Sequence, residues 1–159
     1  YGVDSLCLGS WNYQYYLNHQ AIENNKFDKS KLIETTISFL QNIDGIDKAI
    51  EYSKLESTIL PKSIKEQFTN GYYPKRCGDI LVILKPGYID DEYGGKGTTH
   101  GIWNPYDAHI PLLWYGFGIK QGRSSKRVYM HDIASTVASL LKIQEPSGNI
   151  GHPIEEVLK

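Results

Sequence analysis

Five histidines are the first residues to weigh for chemistry, because an imidazole serves both as a metal ligand and as a proton carrier near neutral pH. His19, His131 and His152 stand in ordinary polar surroundings and read as exposed or capping residues. His100 differs: Thr98 and Thr99 precede it, and Gly97 and Gly101 flank it. Glycines in such positions let the backbone turn tightly and come close to a bound group. An imidazole held this way suits Zn²⁺, with its tautomer fixed by a nearby carboxylate or carbonyl. Asp107 is the nearest carboxylate in sequence, and Thr99 is the adjoining loop hydroxyl. The same pattern also fits an acid/base histidine, or a loop histidine that only hydrogen-bonds, and the residues alone leave these open. His109 follows nine positions later, which matches no HxxxH or HExxH ligand pair, and reads as a structural or supporting histidine.

A catalytic zinc normally has three protein ligands. No second cluster of His, Cys, Asp and Glu with ligand spacing accompanies His100. The chain also lacks a GxSxG nucleophile elbow, a GxxxxGK[ST] phosphate loop and a GxGxxG turn. Asp90, Asp91 and Glu92 read as a solvated turn rather than a glycosidase pair. Cys7 and Cys77 have no CxxC spacing and read as two free, small apolar residues. A formal charge of -1 gives no electrostatic case for a nucleic acid duplex or an anionic membrane. No apolar run approaches the roughly 20 residues that span a bilayer, so the expectation is a soluble chain without a membrane partner. The chain starts at Tyr1 and enters an apolar stretch almost at once, as a cut or processed piece would.

The elements that must position these residues follow from periodicity. At 159 residues the chain is the size of one domain, and one compact unit over 1–159 is expected. Residues 6–22 mix apolar and aromatic side chains around Gly9-Ser10 and predict a strand pair, or one strand with an irregular start. Asp28 is an N-cap for a helix through Leu32, Ile33, Thr36, Ile37 and Leu40. Residues 47–55 alternate as a strand, and Pro61 opens a helix that stops at Asn70-Gly71. Ile80 to Leu84 is an uninterrupted apolar run, predicting a strand buried on both faces. Ile110 to Tyr115 predicts a second buried strand, with Pro111 at its start or edge. Residues 121–127 form a polar connector, and Met130 to Leu141 repeats with helical spacing. Alternating strands and helices argue for an α/β or α+β sandwich, whose strand-helix-strand-helix-strand part is compatible with a ferredoxin-like arrangement.

Taken together, Gly97-Thr98-Thr99-His100-Gly101, Tyr106-Asp107-Ala108-His109-Ile110-Pro111-Leu112-Leu113, Tyr129-Met130-His131-Asp132-Ile133-Ala134 and Gly148-Asn149-Ile150-Gly151 resemble the carboxy-terminal part of the alkaline phosphatase superfamily. Tyr16-Leu17-Asn18 and Arg76-Cys77-Gly78-Asp79-Ile80-Leu81-Val82 fit the same pattern, with departures at Cys77, His131 and Ser135. Within the superfamily the resemblance is to the bacterial phosphate-irrepressible alkaline phosphatases, grouped with type I phosphodiesterases and nucleotide pyrophosphatases. It implies a two-zinc site, with metals about 4 Å apart, that hydrolyses phosphate monoesters through a covalent phosphoenzyme. It also implies that His100 is one ligand of one zinc and that Thr98 and Thr99 are loop residues, not the nucleophile. The nucleophile and the other ligands would lie in an amino-terminal remainder, the chain's expected partner, and these 159 residues alone would be inactive. The implied location is periplasmic or secreted. A phosphodiesterase or nucleotide pyrophosphatase, and a non-catalytic α/β scaffold or binding module, are the alternatives.

Overall fold

A computed structural model describes residues 2–90, 94 and 100–158. Asp91 and Glu92 of the acidic run, and Gly97, Thr98 and Thr99 of the loop before His100, lie outside the described residues. The chain divides into two compact units, Tyr1–His109 and Ile110–Lys159, where the sequence reading expects one.

The first unit opens with a hairpin of β1 (Cys7–Trp11) and β2 (Gln14–Leu17). Its two-residue turn is Asn12-Tyr13, at φ 50° and 61°. Two successive positive φ values give the backbone twist that flanking strands need, and asparagine tolerates them well. The chain then forms α1 (His19–Asn24), capped by the Asn18 side chain accepting from the Ala21 N–H. This helix replaces the strand expected to continue through Ile22. In α2 (Lys29–Leu40) the Asp28 carboxylate accepts from the Lys31 N–H at 3.1 Å, and Leu32, Ile33 and Leu40 are buried. β3 (Ile46–Glu51) gives way at Tyr52 to a 3-10 turn through Ser57, so the alternation read to Leu55 is strand only in its first part. Pro61 opens α3 (Lys62–Gly71), and β4 (Ile80–Leu84) completes the sheet.

The spatial order is β1-β2-β4-β3, and every neighbouring pair is antiparallel. β2 and β3 therefore run in the same direction with β4 between them, a split β-α-β arrangement. The apolar run of β4 demands that central slot. Ile80 and Val82 join the cluster that holds Leu32, Ile33 and Leu40 of α2. Leu81 and Ile83 point the other way, into a cluster with Ile50, Tyr52, Leu55 and Trp103, against which Ile64 and Phe68 of α3 pack. Burying an aliphatic side chain of this size stabilises by about 1.5–3 kcal/mol, so β4 links two cores at once.

The expected strand Ile110 to Tyr115 is absent: these residues form no strand among the described residues, and Leu113, Tyr115 and Phe117 are exposed. Apolar composition can favour a strand but cannot supply its hydrogen-bonding neighbours. The second unit is built on α5 (Asp132–Leu141) and the one-turn α6 (Glu155–Leu158). Ser135, Thr136, Ala138 and Ile154 are buried there. No helix among the described residues is long and apolar enough to cross a membrane, and both thiols are free.

Candidate functional site

The loop that carries His100 is fixed from below. Trp103 is buried against the sheet, edge-on to Tyr13 at 5.3 Å between ring centroids and 5.2 Å from Phe68. Ile102 and Asn104 on either side are buried as well. Asn104 starts α4 (Pro105–Ala108), its carbonyl accepting from the N–H groups of Asp107 at 2.9 Å and Ala108 at 2.8 Å. Pro105 suits the first helical position because its missing N–H would have no partner there. The Tyr106 hydroxyl accepts from the Gly87 N–H at 2.9 Å and from the Asn104 side-chain amide at 3.1 Å, tying the helix to the end of the β4 connection.

Asp107 closes the loop. Its Oδ2 accepts from the N–H groups of Gly101 at 2.7 Å and Ile102 at 2.8 Å. Charge-assisted bonds of this length are the stronger kind. Gly101 has φ +108°, which a side chain rarely adopts, so the residue after His100 is glycine for conformational reasons. His100 itself is exposed at the start of this braced segment, while Thr99 lies outside the described residues. His109 is the C-cap of α4, exposed, its N–H donating to the Pro105 carbonyl. The strand that was to follow it is not there, so its position owes nothing to a sheet.

Sequence reasoning passed over two other polar centres. Asp79 accepts from the Leu17 N–H at 2.9 Å and lies 3.0 Å from His19 Nε2 and 3.4 Å from Lys29 Nζ. It joins β2 to the starts of α1 and α2, and its place just before the buried strand was the available signal. In the second unit the buried Asp132 accepts from the N–H groups of Tyr129 at 2.8 Å and His152 at 3.0 Å. Burial pushes its carboxyl up, but those two donors, with His131 and His152 nearby, outweigh it and hold it below the usual carboxylate value. Thr136 donates to the Asp132 carbonyl and accepts from the Ile154 N–H. The Gly148-to-Gly151 motif is thereby placed against the α5 start: a Cβ on Gly151 would stand 2.0 Å from the His131 carbonyl oxygen.

Among the described residues no three His, Cys, Asp or Glu side chains are grouped to hold a metal ion. His100 stands exposed at the start of the braced loop, and Asp107 supplies the brace.

The chain is 40% identical over 159 residues to a protein of Myroides odoratus named calcium-transporting ATPase. It is 41% identical over 158 residues to alkaline phosphatase PafA of Elizabethkingia meningoseptica, and 41% identical over 148 residues to alkaline phosphatase PhoV of Synechococcus elongatus. These matches take in 93–100% of this chain but only 26–29% of the relatives, so the chain spans less than a third of their length. A crystal structure of wild-type PafA superposes with a TM-score of 0.92 at 41% identity, over 99% of this chain and 30% of that one. No protein-family model matches the chain. Near-complete coverage of this chain by named alkaline phosphatases, in sequence and in fold, carries the assignment: the chain belongs to the alkaline phosphatase superfamily and corresponds to a carboxy-terminal stretch of its members.

Proposed function

We propose that these residues form the carboxy-terminal part of a zinc-dependent phosphomonoesterase of periplasmic or secreted location, in which His100 is one ligand of one zinc ion. The observation that supports this is an exposed imidazole beside a rigidly braced backbone, in a chain about 40% identical along its length to named alkaline phosphatases. The donor set fits one corner of such a site. Asp107 Oδ2 is engaged with two amides, and no further ligand cluster exists among the described residues. The remaining ligands and the nucleophile that forms the phosphoenzyme then belong to residues outside these 159. Bound zinc would supply Lewis-acid polarisation of phosphate oxygens. This chain's own residues hold the imidazole: Trp103 anchors the loop in the core, Asp107 fixes the Gly101 and Ile102 amides, and Tyr106 ties the loop to Gly87. His109 and Thr99 are supporting loop residues in this reading.

The relative named for an ATPase favours a second reading, in which the ester cleaved is a nucleotide phosphoanhydride or diester. The test uses the full-length polypeptide. It is expected to bind two zinc ions and turn over p-nitrophenyl phosphate faster than bis-p-nitrophenyl phosphate or ATP. His100→Ala is expected to lower kcat/KM by about 100-fold or more, at least the loss seen when a ligand's supporting partner is removed. The 159 residues alone are expected to show no turnover above a metal-free control. Turnover by that piece, or full zinc content and activity in His100→Ala, overturns the assignment.

A further inference from the structure

Between Asp107 and Asp132 the chain carries no acidic residue, and its cations in that interval fall together: Lys120, Arg123, Lys126 and Arg127 stand within eight residues. All four are exposed, and the segment that holds them is neither helix nor strand. Few of these charges serve the fold. Lys120 and Arg123 form no ion pair among the described residues. Lys126 reaches Glu156 at 3.6 Å, a solvent-exposed pair of the kind that adds little stability. Arg127 lies over the Tyr129 ring, 5.4 Å from its centroid, and the His131 ring stacks on Tyr129 at 5.2 Å and 11°. The next carboxylate along the chain, Asp132, is buried and occupied by the N–H groups of Tyr129 and His152. The expectation of no membrane partner rests on a net charge of -1, which averages this segment against acids elsewhere.

We propose that residues 120–127 are a docking surface for anionic lipid, holding the phosphate headgroups of a membrane surface without entering it. Charge complementarity chooses an anionic partner, and the surroundings narrow it. A second copy of the chain is excluded, because a two-fold contact would set four cations against the same four. A single-stranded nucleic acid takes its hold from bases stacked on free aromatic faces, whereas the Tyr129 ring is already engaged by Arg127 and His131. A headgroup layer needs no such geometry. Each Lys or Arg near it strengthens binding about fivefold, and the attraction fades within a Debye length. With Lys126 partly neutralised by Glu156, the three remaining cations give about a hundredfold. The surface belongs to the second unit alone and is independent of the zinc reading.

Flotation of the full-length polypeptide with lipid vesicles tests this. In about 0.05 M NaCl it is expected to bind vesicles of equal parts phosphatidylglycerol and phosphatidylcholine about a hundredfold more strongly than vesicles of phosphatidylcholine alone. Raising NaCl to about 0.5 M, where the Debye length is under about 5 Å, should abolish the difference. That salt dependence is read on the wild type and stands whether or not a variant folds. Lys120→Gln, Arg123→Gln and Arg127→Gln in one protein should also abolish the difference, whereas the exposed first-unit lysines changed together, Lys31→Gln, Lys62→Gln and Lys75→Gln, should leave it. Turnover of p-nitrophenyl phosphate without vesicles should match the wild type in both variants. Equal binding to the two kinds of vesicle, binding insensitive to salt, retention of the difference in the first variant or equal loss in the second each overturns the proposal. So does displacement by inorganic phosphate beyond that by NaCl of the same ionic strength, which reports a site for the free anion, or binding of a single-stranded oligonucleotide without binding of vesicles. Selective vesicle binding by a polypeptide with no phosphatase activity supports the surface and sinks the function proposed above.

Discussion

Replacing Asp107 by alanine removes both hydrogen bonds that hold the backbone immediately after His100. Hydrogen bonds to a charged acceptor contribute about 1.5–3 kcal/mol each when shielded from water. The bond to Ile102 N–H is partly buried and belongs in that range, whereas the bond to exposed Gly101 is screened and contributes under about 1 kcal/mol. The loss should therefore be about 2–4 kcal/mol, and it should be local, because Trp103 still anchors the loop on the sheet. Since 1.4 kcal/mol is tenfold, exchange of the Ile102 amide should speed up by roughly 30-fold to several-hundred-fold. Amides of β4 should be unchanged. Asp107→Asn keeps an acceptor without the charge and should fall between. Amide-resolved exchange by NMR on the 159-residue chain reads all three proteins. An Ile102 amide that exchanges at the wild-type rate in Asp107→Ala would refute the reasoning, as would equal acceleration across β4, which would mean Asp107 supports the whole unit rather than the loop.

Three further outcomes follow from the packing. Trp103→Ala should destabilise the first unit by about 3–5 kcal/mol in urea unfolding, the usual cost of emptying a buried aromatic site, and should release the His100 loop as well. Gly151→Ala places a Cβ 2.0 Å from the His131 carbonyl oxygen, and calorimetry should find the second unit weakened by about 1–3 kcal/mol or more while the first is untouched. Burial pushes the Tyr52 phenol from 10.0 up to about 12, and its hydroxyl donates to the Phe68 carbonyl. The folded state thus holds the proton more tightly than the unfolded one: the contribution is complete below pH 10 and lost between 10 and 12. Urea midpoints should fall across that window in the wild type and more shallowly in Tyr52→Phe.

Local signals were legible wherever one residue type does one physical job. Asp28 before an apolar periodicity marked α2, and the uninterrupted β4 run marked a strand covered on both faces. The helix at His19–Asn24 was missed although Asn18 is its cap, because the aromatic alternation of β2 was carried too far. The Asn12-Tyr13 turn was missed because a bulky residue at positive φ is a weak sequence signal. The site was legible in part: His100 was singled out by its glycines, and Asp107 by proximity. Its actual partners, the Gly101 and Ile102 amides, depend on a single turn of helix bringing residue 107 back over 101, which no periodicity announces. Asp79 and Asp132 were invisible as centres because their partners lie far along the chain or on the backbone.

The position of β4 also sets an order of events for a chain emerging from the ribosome. β2 and β3 are the two neighbours of β4 and lie too far apart to bond to one another, since strands pair at about 4.8 Å. Until residues 80–84 arrive, the hairpin and the α2–β3 segment have no common edge, and β2 must close a loop of more than 60 residues to find its neighbour. Trp103, which packs on the cluster that Leu81 and Ile83 create, has nowhere to dock before that step. The His100 loop is thereby expected to order no earlier than the sheet closes, and in refolding the Ile102 amide should gain exchange protection no sooner than the amides of β4.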